Sequence, residues 1–76
     1  MIKEYFTACE ETFPGRQVEL RRISLSLRRA GIVTMETLCR MQRENPENIK
    51  EIRNIGGKSA ELIAVICRQY EDDSER

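Results

Sequence analysis

Two glycines, a lysine and a serine stand in a row at Gly56-Gly57-Lys58-Ser59, between the helical apolar patterns of Ile49 and Ile52 on one side and Leu62, Ile63 and Ile66 on the other. Such a row can reverse the chain and open a new helix. Either glycine can take a positive φ without Cβ strain, and Ile55 is placed to plug the space between the two helices. The first amides of a helix have no partner in its own ladder. Those of residues 57–59 would converge with the Lys58 ammonium and the Ser59 hydroxyl on one point, where a phosphate oxygen fits. The same residues also make a sound turn with a capping serine and nothing more, and helical hairpins of this form serve in protein-interaction modules. A P-loop is excluded: the lysine lacks the longer GxxxxGK spacing, and no strand leads into it.

Other chemistry finds little support. The chain has no histidine, and its three cysteines, Cys9, Cys39 and Cys67, are widely spaced with no CxxC pair. A zinc site would need three scattered thiolates and a carboxylate. All three cysteines fall on apolar faces of predicted helices, so they read as buried, reduced thiols. That implies a reducing compartment, hence a cytoplasmic protein. Acid–base work would fall to carboxylates on exposed faces, and a cysteine nucleophile would lack a base. The expectation is a non-catalytic protein without metal or cofactor.

The elements that must position the glycine row follow from apolar spacing and punctuation. Ile2, Tyr5, Phe6, Cys9 and Phe13 recur at helical spacing and predict a helix over 2–13, stopped by Pro14-Gly15. A second helix spans 17–30, with Leu20, Ile23 and Leu27 as one stripe, Leu25 off it and available to another helix, and Gly31 at the C′ position. Thr34 caps a third helix over 35–43, with Glu36 in its first turn and Leu38, Cys39 and Met41 for the core. Asn45 and Pro46 open a fourth over 46–53, with Ile49 and Ile52 inward. The fifth begins near Lys58 and runs to about Tyr70. The acidic residues 71–76 read as a disordered tail. The domain plan is an amphipathic helix in 1–15 packed on or flanking the rest, a helical domain in 16–70, and the tail.

Charge is zero overall but unevenly placed. Residues 16–43 hold seven arginines against two carboxylates, a local +5, while the first fifteen residues carry −2 and residues 44–76 carry −3. A neutral total argues against strong nonspecific nucleic-acid binding and leaves room for a weak binder with one basic face. The longest apolar run, Leu62 to Cys67, is too short to cross a membrane, and no signal peptide is expected.

The turn at 54–58 has the helix-hairpin-helix pattern. Together with Val18 to Ile32, Thr34 to Leu38 and the continuation to Ile66, about two-thirds of the chain resembles the C-terminal domain of the bacterial RNA polymerase α subunit. The resemblance implies an all-α fold: a compact five-helix domain closed by a helix-hairpin-helix, SAM-like in class. It also implies a bacterial, transcription-related setting. In that family an arginine of the first matching helix enters the DNA minor groove, and Arg22 falls at its position. The family's phosphate-binding glycine, lysine and serine fall on Gly56, Lys58 and Ser59. Narrow A·T-rich grooves attract such an arginine through enhanced negative potential.

Leu25 stands where the family has an asparagine and cannot hydrogen-bond a base or sugar. The loop around 42–46 is longer, and the family's large N-terminal domain has no counterpart here, so the expectation is a free-standing relative. The expected DNA contacts are Arg22, Gly56, Gly57, Lys58 and Ser59, with Arg21, Arg28 and Arg29 adding attraction. The competing expectation is a protein-interaction module, docking on RNA polymerase or a transcription regulator, or pairing weakly with itself; otherwise the chain is a monomer.

Overall fold

The computed structural model describes residues 1–74, and among these it is all-α, with five helices and no strand. They are α1 (Ile2–Thr12), α2 (Gln17–Arg29), α3 (Met35–Glu44), α4 (Pro46–Lys50) and α5 (Gly57–Ser74). Among the described residues no helix is long and apolar enough to cross a membrane.

The apolar stripes become one core. Ile2, Phe6 and Cys9 of α1 meet Leu20, Ile23 and Leu27 of α2, and the same cluster takes in Leu38, Ile49, Ile63 and Ile66. The α1 helix is therefore part of the core: Ile2 is 0% exposed and Phe6 2%. It is also tied at both ends of the fold. The Ile2 amide donates to the Val33 carbonyl at 3.0 Å, and Tyr5 meets Tyr70 edge to face, with ring centroids 5.1 Å apart. Leu25, expected against another helix, is instead 40% exposed. Val18 on the same side of α2 is 80% exposed, so this outer face is open among the described residues.

Helix ends follow local chemistry. Gly31 takes φ +87°. Its amide donates to Arg28 and that of Ile32 to Leu27, at 3.0 and 2.9 Å. This pair of bonds satisfies the last carbonyls of α2, and buried Ile32 packs beneath them. Thr34 is extended, and its hydroxyl oxygen accepts from the Thr37 amide at 3.2 Å, which satisfies one free donor of α3.

Two boundaries differ from expectation. The α4 helix stops at Lys50 instead of continuing to 53. From there the chain turns through Ile52 N–H to Ile49 carbonyl and Ile55 N–H to Ile52 carbonyl, at 3.2 and 3.0 Å. The expected disordered tail is helical through Ser74, because α3 offers its last turns partners. Arg43 pairs with Glu71 at 3.2 Å, and the Tyr70 hydroxyl donates to the Glu36 carboxylate. Residues 75 and 76 of that expected tail lie outside the described residues.

Cys9, Cys39 and Cys67 are all free and buried. Burial pushes each thiol above its ordinary range, Cys67 furthest, where Cys39 adds to the effect. The folded chain therefore keeps protons that the unfolded chain loses above about pH 8.5. Stability contributed by the protonated thiols is complete below that value and is lost as pH rises through the raised folded values. The melting temperature should fall progressively above about pH 9, and a Cys67→Ala variant should show a shallower fall. Equal slopes for the two proteins would assign alkaline unfolding to other groups.

Candidate nucleic-acid interface

The turn between α4 and α5 is built around Asn54, not around its glycines. Asn54 holds φ +71°, while Gly56 and Gly57 have no positive φ. Asparagine tolerates this left-handed conformation better than most residues, since its short amide can satisfy nearby backbone groups. The expectation that Gly56 or Gly57 turns the chain is thus corrected. Ile55 is the plug expected of it, 4% exposed.

The glycines have another use. A Cβ added at Gly56 or Gly57 would meet nothing within 4 Å. Neither backbone conformation nor internal packing requires glycine there, and both residues are exposed. What their bareness permits is close approach to the backbone from outside. The first ladder bond of α5 runs from the Ala60 amide to the Gly56 carbonyl at 2.9 Å. The amides of Gly57, Lys58 and Ser59 precede it and have no acceptor among the described residues.

Charge at this helix start runs against the helix's own interest. The helices α1 to α4 each carry a glutamate in the first turn, namely Glu4, Glu19, Glu36 and Glu47. The α5 helix has no acidic residue there and carries exposed Lys58 instead. A cation at a helix N-terminus opposes the macrodipole.

Arg22 reaches this point from α2. Its Nη2 donates to the Ser59 Oγ at 3.3 Å, across 37 residues of sequence. Ser59 is 4% exposed, so its hydroxyl lies beneath the surface formed by Arg22 and the turn. Arg29 lies on the same side of α2, since positions 22 and 29 are two helical turns apart. It lines a groove of about 520 Å³ with Arg53 and Asn54, and no carboxylate lines that groove. Among the described residues, Arg22, Arg29, Arg53 and Lys58 take part in no ion pair.

The other two expected arginines are elsewhere. Positions 21 and 28 lie about 100° around α2 from 22 and 29, facing α1. Arg21 makes two bonds to the Glu10 carboxylate, at 3.0 and 3.3 Å. Arg28 donates through Nε to the Ser24 carbonyl at 3.4 Å. Exposed Val18 and Leu25 form a ridge between the two pairs. Arg53 and Asn54 are the residues the sequence reading missed. The signal for Arg53 was its place just before the turn, and for Asn54 its standing next to glycine in left-handed backbone.

Among the described residues no cluster of histidine, cysteine, aspartate or glutamate could hold a metal ion. No protein-family model, curated protein or solved structure matches the chain.

Proposed function

We propose that this chain is a weak, non-catalytic DNA-binding module that grips a backbone phosphate through a helix-hairpin-helix formed by α4, the turn and α5. The observation that carries this reading is the start of α5. There, free amides at 57–59 sit beside two glycines with no internal role and a lysine unfavourable to its own helix. A phosphate accounts for all three features: it accepts from the amides, pairs with Lys58 and needs the bare backbone to come close.

Arg22, Arg29 and Arg53 extend the positive surface away from that point. Arg22 is the groove-probing side chain, exchanging its single long bond to Ser59 for contacts in a narrow minor groove. The resemblance to the polymerase α-subunit domain points to a transcription-related role, and the unpaired core thiols suit a reducing, cytoplasmic setting. With so few phosphate contacts the dissociation constant should be about 10⁻⁴ to 10⁻⁶ M at physiological salt.

One observation favours a second reading, a protein-interaction module docking on polymerase or a regulator. Val18, 80% exposed, and Leu25 make an apolar ridge beside the arginines. An amide NMR titration with a short A·T-rich duplex at low salt separates the two. DNA binding predicts shifts centred on Arg22 and residues 53–59, reversed by added salt. Amides that stay silent at low salt would reject DNA binding and leave the Val18–Leu25 ridge as the functional surface.

A further inference from the structure

A second charged site lies on the opposite flank of α2, away from the turn. The helices α1 and α2 run antiparallel, joined by the turn at Pro14-Gly15, and the Arg21–Glu10 pair fixes their register. In that register position 7 faces 24 and position 3 faces 28. A cleft of about 240 Å³ runs between them, with Phe6 and Leu20 in its lining. One end is neutralised, because Glu10 is taken up by Arg21. At the other end Lys3 and Arg28 both line the cleft, and among the described residues neither has a carboxylate partner. Glu4, the next carboxylate along α1, lines a different cleft.

Ser24 supplies an independent sign. It lines the same cleft and is 4% exposed; its Oγ is sealed from solvent just beneath the cleft wall and, among the described residues, has no hydrogen-bond partner. A serine inside a helix ordinarily bonds back to the carbonyl four residues earlier, and leaving a buried hydroxyl unpaired is costly. Two cations without a carboxylate partner therefore line one cavity with an apolar wall, and an orphan hydroxyl lies just beneath that wall. Thr7 adds no donor, because its hydroxyl proton is given to the Lys3 carbonyl at 2.9 Å.

We infer that this cleft binds a small organic anion, its carboxylate or phosphate head between Lys3 and Arg28 and its short apolar body against Phe6 and Leu20. A turn of the Ser24 side chain brings its sealed hydroxyl to the anion, to which it donates. The volume lies below the roughly 300–1,000 Å³ of pockets for drug-sized ligands, which fits a single ring or short chain. The site is independent of the DNA reading and makes this module responsive to a small metabolite-sized anion.

The test is an amide NMR titration of the whole chain with phenyl phosphate, alongside inorganic phosphate and benzyl alcohol as head and body alone. Saturable shifts should gather at residues 3–10 and 20–28, with phenyl phosphate at least about tenfold tighter than either part. Arg28→Gln and Ser24→Ala should each weaken it by about tenfold or more. Ser24→Ala should keep or raise the melting temperature, so lost folding would not explain the effect. Lys58→Glu should leave this binding unchanged, which separates it from the DNA site. The inference is overturned if phenyl phosphate gives no saturable shifts, if Arg28→Gln and Ser24→Ala bind it as the parent does, or if inorganic phosphate binds equally well.

Discussion

Phe6→Ala should lower the unfolding free energy by about 3–5 kcal/mol, the usual cost of emptying a buried aromatic site. Phe6 is 2% exposed and stands between Ile2 and Cys9 on the buried face of α1. The lost ring would leave α1 short of the contacts that hold it on α2. A domain of this length has about 4–11 kcal/mol of stability in all, so one substitution removes a large share. At about 4–8 °C per kcal/mol, the melting temperature should drop by on the order of 20 °C. Urea unfolding of the two proteins, followed by circular dichroism, measures the difference. A loss below about 1 kcal/mol would mean that α1 lies on the surface and does not complete the core.

Lys58→Glu should weaken binding to an A·T-rich duplex by tenfold or more, and lower the slope of log affinity against log salt by about one. The same change should leave the fold intact or stabilise it by about 0.3–1 kcal/mol, because a glutamate suits the first turn of a helix and a lysine does not. Lys58 is exposed, so no packing is disturbed. Opposite signs for stability and binding make the result hard to mistake for unfolding. Fluorescence anisotropy at several salt concentrations gives both affinity and slope. Unchanged values would remove the phosphate site from the start of α5.

Much of the fold was legible because it is local. The stripe of Leu20, Ile23 and Leu27 needs only helical periodicity to be recognised, and all three are 0% exposed. Thr34 and Gly31 announce a helix start and a helix end by their own stereochemistry, and both act as expected. What was not legible depends on partners distant in sequence. Residues 71–74 look like a frayed tail until Arg43 and Glu36 are seen beside Glu71 and Tyr70. The four arginines of α2 form two faces by periodicity alone, but which face meets α1 is decided by Glu10 and the core. The turn failed for a different reason. Glycine is the usual left-handed residue, and here Asn54 takes that place two residues earlier, leaving Gly56 and Gly57 with no conformational or packing role.

The meeting of Tyr5 with Tyr70, together with the Gln69 bond to the Tyr5 hydroxyl 64 residues away, bears on kinetics. The other main helix contacts span less of the chain: α1 packs on the adjacent α2, and α3 to α5 pack among themselves across 28 to 34 residues. Those close early, since short loops cost little entropy. The tyrosine clasp closes the longest loop, so it is expected to form late, after the rate-limiting step. Loosening it should therefore leave the folding rate nearly untouched and quicken unfolding. On this expectation the clasp governs how long a folded molecule lasts, and stopped-flow folding and unfolding rates of Tyr5→Ala measure it.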